Sequence, residues 1–260
     1  VSPEDRLRDQ LAARGWPWRA PIEHHRSLAS TNDRLKELAR AKAPEGSVVW
    51  ADTQTAGRGR HGRAWTSPPG NLYVSILLRP SVALASLLPL VAGVAVAEAL
   101  ESWAVGACLK WPNDVVVADR KLGGILAESS STGVGLDWVV VGIGVNVNGP
   151  VPPELRELAV TLAEAGAPMA EVADVAVAAL ARLAVWYHRL AEAGRDTVLQ
   201  EWRRRSVPWW GEPVEAWSLG SRIVGRPAGL DDEGGLVLEM DDGSRSTLRS
   251  GEVRRCRLVS

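Results

Sequence analysis

The densest run of chemically capable residues is Gln54-Thr55-Ala56-Gly57-Arg58-Gly59-Arg60-His61-Gly62-Arg63-Ala64-Trp65. Three glycines and three arginines fall within Gly57–Arg63. Glycine lets the backbone turn freely and approach a ligand closely. The N–H groups of such a loop form concavities that attract anions, and guanidinium forks match phosphate or carboxylate. Trp65 adds a flat face for a base or another ring. A solvated basic loop or an RNA-binding Arg/Gly tract is the alternative. Such a tract, however, is longer and lies in disordered sequence, whereas this one is wedged between two predicted strands. GxGxxG-like spacing without its strand–helix context is weak evidence for a dinucleotide site.

Three further segments carry candidate chemistry. In Lys110-Trp111-Pro112-Asn113-Asp114, proline interrupts a strand and turns Asn113 and Asp114 outward. Together they could hold a hydrated magnesium ion, a hard cation that prefers oxygen; by itself the pair is better explained as a plain Asx turn. In Lys121-Leu122-Gly123-Gly124-Ile125-Leu126, an ammonium stands beside a stretch free of side chains, which suits a ligand or a surface hairpin. In Gly142-Ile143-Gly144-Val145-Asn146-Val147-Asn148, glycines inside an apolar strand call for a close backbone approach, by a ligand or by a helix. Asn146 there needs hydrogen-bond partners if buried.

The elements that must position these residues are legible from periodicity. Residues 1–22 read as a short polar lead. Ser30 and Asp33 have capping-box spacing ahead of Leu35, Leu38 and Ala39, so Ser30–Asn32 sit at a helix entrance. Strands are expected at Ser47–Asp52, Leu72–Leu78, Ala107–Val117 and Gly123–Glu128, with a turn at Asp119-Arg120. A helix is expected over 84–102, with Leu88, Val91, Ala95 and Ala99 inward. Trp138–Val147 is apolar enough for a strand buried on both faces. Two helices follow, the longer at about Ala170–Ala193. After Pro208, short β-like runs (Val214–Trp217, Ile223–Ala228, Leu236–Met240, Ser246–Arg249) alternate with turn clusters, the rhythm of a small antiparallel barrel. The predicted domains are 1–207 and 208–260.

Composition narrows the classes. The chain has 260 residues, 46% hydrophobic and 23% charged, enough for a sizeable core. The net charge of -1 supplies no broad basic field for nucleic acid. Cys108 and Cys256, the only cysteines, fit neither a zinc site nor a disulfide framework. Val1–Gln10 has no apolar signal region, and Leu84–Leu100 is broken by Pro89, Gly93 and Glu98, so it reads as a buried helix and not a membrane span. A cytoplasmic protein without membrane contact is expected.

Taken in order, Ser30-Thr31-Asn32, Gln54–Trp65, Lys110–Asp114, Lys121–Leu126 and Gly142–Asn146 resemble the biotin–protein ligase family. The combination is specific, although each piece alone is not. Lipoate–protein ligases share the fold but lack this set of motifs. The resemblance implies an α+β fold: a mixed-sheet catalytic domain flanked by helices, with a small C-terminal SH3-like β domain. It implies biotin and ATP as substrates, Mg²⁺, and transfer of biotin to a lysine of a biotin carboxyl carrier domain of a carboxylase. By position, Ser30, Thr31, Asn32 and Gln54 look like contacts to the biotin ureido ring or its neighbourhood. Gly57, Arg58, Gly59 and Arg60 resemble the loop that folds over biotin and its adenylate, and Gly124 and Gly142 resemble pocket-lining glycines. Arg63 looks like a phosphate partner and Trp65 like the aromatic that stacks on adenine. Lys121 looks like the lysine bridging the biotin carboxylate and the α-phosphate. Lys110, Asn113, Asp114 and Asn146 match the nucleotide and magnesium side, with Asp114 and Asn146 as metal candidates. Lys121, Arg60 and Asp114 are the catalytic candidates, Asp114 as the base for the acceptor lysine.

The chain departs from the family pattern at Ala64, where many relatives carry a basic residue, and at Arg254-Arg255-Cys256 after Ser250-Gly251-Glu252-Val253. Roughly twenty residues precede the first motif, too few for a helix-turn-helix domain, so a ligase without DNA binding is expected. A strand-edge homodimer and a monomer both stay open. The rival functions are a lipoate or octanoate ligase, a non-catalytic binding regulator and a nucleic-acid module.

Overall fold

The structure is a computed structural model that describes residues 2–133, 135–218 and 220–256. The outer limits of the two expected domains, Val1 and Ser260, lie outside these residues.

The polar lead contains a helix that periodicity did not reveal. Helix α1, Pro3–Ala12, starts on a Ser2 cap with proline in its first turn. It buries only Leu7 and Leu11, too short a stripe to stand out in a charged segment. Strand β1, Ile22–His25, was also not expected; it is an edge strand parallel to β2, Val48–Ala51. Between them, α2 spans Thr31–Arg40 on a Ser30 cap, and Ser30 Oγ accepts from Asp33 N at 3.4 Å. The predicted helix entrance is therefore present.

Strand β3, Leu72–Leu78, is fully buried. The helix expected over 84–102 is two pieces, α3 (Val82–Ala85) and α4 (Leu88–Leu100). Pro89 lies in the first turn of α4, where its missing N–H costs nothing. Helix α4 is buried nearly all round, between the sheet and the helices α5 (Val172–Ala193) and α6 (Arg195–Arg205). The 107–117 run is split, as its proline requires, into β4 (Cys108–Lys110) and β5 (Asp114–Val117). Strands β6 (Arg120–Thr132) and β7 (Gly135–Val145) complete a sheet ordered β1-β2-β3-β7-β6-β5-β4. Only the β1–β2 pair is parallel, so the sheet is mixed.

The C-terminal region forms an antiparallel five-stranded sheet of β8 (Val214–Ser218), β9 (Ser221–Leu230), β10 (Leu236–Glu239), β11 (Arg245–Leu248) and β12 (Glu252–Arg255), ordered β11-β10-β9-β8-β12. It docks on the larger sheet's core: Val214, Ala216, Leu236, Leu238, Leu248 and Val253 join the same apolar cluster. Trp111 Nε1 donates across to Gly234 O at 3.0 Å, and Val207 N donates to Leu109 O at 2.9 Å. Among the described residues no helix is long and apolar enough to cross a membrane. Cys108 and Cys256 are unpaired and half-buried.

Candidate active site

A cavity of about 650 Å³ opens over one face of the large sheet. Its floor is made by glycines. Gly124 pairs with Gly144, and Leu126 pairs with Gly142, across β6 and β7. A Cβ on Gly142 would stand 2.3 Å from Asn32 Oδ1, and one on Gly144 would stand 3.0 Å from the Trp65 ring. The bare backbone is therefore what admits these two side chains.

Ser30, Thr31, Asn32 and Gln54 cluster at one end of the cavity. The first three are buried. Gln54 Oε1 accepts from Thr31 N at 2.8 Å, and Gln54 Nε2 donates to Ser67 Oγ at 3.1 Å. This end is neutral, dense in donors and acceptors, and backed by Ser75 and Glu128. Sequence reading missed Ser75, Ser67 and Glu128. Ser75 has a weak signal, the single serine in the run Leu72–Leu78; Glu128, inside β6, has none.

The Arg/Gly loop curls over the cavity mouth. Gly59 N donates to Arg63 O at 2.8 Å and Trp65 N to Gly57 O at 2.9 Å. Arg58 is clamped to Asp33 of α2 by two bonds, 2.7 and 2.6 Å, and that guanidinium, helped by Lys36, holds the Asp33 carboxyl down at about 2. Arg63 hydrogen-bonds Glu252 on β12, and that contact comes first among the causes lowering the Glu252 carboxyl. The terminal Ser-Gly-Glu-Val motif thus reaches the catalytic loop.

The other end is cationic. Lys121 Nζ lies 2.6 Å from Asp114 Oδ1 and 5.1 Å from the centre of the Trp65 ring. In a regular strand, residues 121 and 124 point to opposite faces. Here the register shifts between Val115 and Val116, which gives β6 an extra residue. Lys121 thereby comes beside Gly124, whose Cβ position is 3.3 Å from Lys121 Cε. Arg60 and Lys110 also line the wall. Burial is the main cause that pushes the pKa of both below its ordinary value, against the pull of Asp114. Among the described residues neither forms an ion pair; Lys110 sits 5.2 Å over the Trp209 ring. A half-buried cation without a counter-ion is a prepared anion site. Ala64, the first departure from the family pattern, is exposed beside this loop.

Three expectations are corrected. Gly57 does not reach the cavity wall; its missing side chain leaves room for Ser67 Oγ and Trp65 O, each 2.6 Å from the Cβ position. Asn146 also lies off the wall, and its amide donates to Lys121 O and Val160 O at 3.4 and 3.3 Å. Its amide nitrogen braces backbone in this structure. Asn113 reaches the wall, but its amide turns back to donate to Ile125 O at 2.6 Å, not outward. The bend at Pro112 thus ties Asn113 to β6 and leaves Asp114 to face Lys121.

Comparison with known proteins gives this arrangement relatives. Residues 25–146 match the model of the Biotin/lipoate A/B protein ligase family, and residues 210–254 match the Biotin protein ligase C terminal domain. The bifunctional ligase/repressor BirA of Bacillus subtilis is 36% identical over 227 residues, covering 85% of this chain and 70% of that protein. The biotin–[acetyl-CoA-carboxylase] ligase of Paracoccus denitrificans is 35% identical over 236 residues, covering 86% of this chain and 96% of that one. Among solved structures, biotin protein ligase from Aquifex aeolicus in complex with biotin and ATP has a TM-score of 0.80 at 33% identity, covering 91% of this chain and 99% of that chain.

Proposed function

This chain belongs to the biotin protein ligase family, and we propose that it joins biotin to ATP as biotinyl-AMP and then passes biotin to a lysine of a carboxylase's biotin carboxyl carrier domain. The observation that carries this is the polarity of the 650 Å³ cavity: a neutral hydrogen-bonding end at Ser30–Asn32 and a cationic end at Lys121, Arg60 and Lys110. Lys121 and Leu126 stand five positions apart on β6, so the two ends of the cavity are set apart along one strand. That arrangement suits a molecule with a polar ring at one end and a carboxylate at the other.

Chemistry follows from charge. A carboxylate and a triphosphate repel, so cations must lie between them. Lys121 is placed to bridge the biotin carboxylate and the α-phosphate, with Arg60 and Arg63 gripping phosphate from the loop. A biotin carboxylate oxygen attacks the α-phosphorus, the bond to the β-phosphate oxygen breaks, and pyrophosphate leaves. No protein nucleophile is needed. Trp65, half-buried between the glycine floor and the cavity, offers the face for adenine. Asp114 would hold a magnesium ion, which would supply charge neutralisation at the phosphates. Among the described residues there is no cluster of three or more His, Cys, Asp or Glu side chains fit to hold a metal.

In the second step the acceptor lysine's amine attacks the biotinyl carbonyl carbon, the carbonyl–phosphate bond breaks and AMP departs. Asp114 takes the amine proton. Arg58, clamped to Asp33, holds the loop over the mixed anhydride and keeps water out.

The two domains, 1–207 and 208–260, both serve the site, the second through Glu252. No nucleic-acid or membrane partner is invoked, and the cytoplasm supplies ATP and acceptor. The test is exchange of labelled pyrophosphate into ATP with biotin and lipoate in parallel. Exchange driven by biotin alone is expected. Exchange driven by lipoate alone would make it the other ligase, and biotin binding without exchange would make it a regulator.

A further inference from the structure

The neutral end of the cavity is backed by two side chains that do not reach it. Ser75 on β3 and Glu128 on β6 stand behind the wall, yet they fix the direction of its hydrogen bonds. Both hydrogens of the Asn32 amide are committed: Nδ2 donates to Glu128 Oε2 at 2.7 Å and to Leu126 O at 3.3 Å. The other oxygen of Glu128, Oε1, accepts from Lys36 Nζ at 2.8 Å. A carboxylate only accepts, so the amide cannot turn over and Asn32 Oδ1 faces Ser75 Oγ, 2.6 Å away. That amide oxygen is itself only an acceptor, so the single Ser75 hydrogen points to it.

Ser75 Oγ also lies 2.7 Å from Thr31 Oγ1. With the Ser75 hydrogen used, that contact is a hydrogen bond only if Thr31 donates. The other neighbour of the Thr31 hydroxyl, Gln54 Oε1 at 3.2 Å, is likewise an acceptor. The one hydrogen of Thr31 is thus drawn away from the cavity, and Thr31 shows the cavity lone pairs.

We propose that Glu128, acting through Asn32 and Ser75, is a positioning residue that makes Thr31 an obligate acceptor and so selects a ring bearing an N–H at that point. This rests on biotin being the acid bound here. The cyclic urea of biotin supplies N–H donors; the dithiolane of lipoate and the alkyl end of octanoate supply none. Selection against those acids is therefore built into the polarity of the wall and not only its shape. Gly142 belongs to the same device, because its Cβ position is already filled by Asn32 Oδ1.

The experiment uses the full chain and a ligand–variant cycle. Biotin is compared with two isosteric cyclic carbamates, in each of which one ring N–H is replaced by oxygen. In the wild type, the carbamate that loses the N–H facing Thr31 binds roughly tenfold to hundredfold more weakly than biotin, because two acceptors then face each other. Glu128→Gln keeps the side-chain volume. Lys36 claims its single amide oxygen, its NH₂ group turns toward Asn32, and the chain of donors reverses. That variant is expected to bind biotin more weakly, to lose most of the discrimination against that one carbamate, and to keep its KM for ATP within twofold. Glu128→Ala, which leaves the Asn32 amide nitrogen held only by its 3.3 Å bond to Leu126 O, is expected to weaken the same discrimination by a second route should the first variant fold poorly. Unchanged discrimination in both variants, or a wild type indifferent to both carbamates, overturns the proposal. A wild type that binds no biotin overturns the ligase assignment itself, and this proposal with it.

Discussion

Lys121→Ala separates the chemistry from the fold. The side chain contributes little to stability: its partner Asp114 keeps 26% of its side chain exposed and Lys121 36%, and such pairs are worth about 1 kcal/mol or less. The backbone bond from Lys121 N to Leu158 O, 2.7 Å, does not depend on the side chain. The melting temperature should fall by no more than about 4 °C. Adenylation should suffer far more. A cation about 4 Å from a phosphate is worth about 4 kcal/mol at an effective dielectric of 20. That converts to roughly a thousandfold in rate, and removal of one preorganised donor in known enzymes costs about 10²–10³. The loss is deepened because Asp114, no longer neutralised, repels the incoming anions. Biotin-dependent pyrophosphate exchange, run beside a thermal melt, reads both quantities. A folded variant that exchanges within about threefold of wild type would remove Lys121 from between the two anions and refute the electrostatic argument.

Two further outcomes follow from the site. Gly142→Ala would place a methyl 2.3 Å from Asn32 Oδ1, an atom pinned by Ser75, so the amide must move; biotin affinity by tryptophan fluorescence should drop while ATP binding is kept, at a stability cost of about 1–3 kcal/mol. Asp33→Asn probes the clamp on Arg58. The folded Asp33 carboxyl lies at about 2 against an ordinary 3.8, so its stabilisation is present above pH 3.8 and is lost as pH falls through about 2. The wild type should therefore melt higher than the variant near neutrality, and the gap should close below pH 4; a gap independent of pH would show that the charge of Asp33 is not what holds the loop.

Much of the fold was legible because apolar periodicity is a local property. Leu72–Leu78 and the helix entrance at Ser30 are where the pattern placed them, and the strand carrying Gly142 is central and buried as its composition required. Elements with little apolar surface escaped: α1 buries two leucines, and β1 is a four-residue edge strand rich in charge. The helix entrance at Ser30–Asn32 was legible from residue type, and its grouping with Gln54 at one end of the cavity came from the family resemblance. Its backing by Ser75 and Glu128 was not legible, since these residues lie more than forty positions away from Asn32 in the chain.

Residue chemistry alone pointed to an anion site at the Gly/Arg loop, and left a ligand or a hairpin open at Lys121 and a ligand or a packed helix open at the strand glycines; the nature of the acid came from the resemblance of the combined motifs. Which residues share a face was decided by the tertiary structure. The extra residue in β6 brings Lys121 onto the side of Gly124, and no local pattern announces a register shift that arises from pairing with β5. The turn of Asn113 toward Ile125 and the removal of Asn146 from the wall have the same origin. Hydrogen-bond polarity is the furthest of these consequences: a carboxylate on one strand, an amide at a helix entrance and a hydroxyl on another strand must be within 3 Å of one another before any of them has a direction.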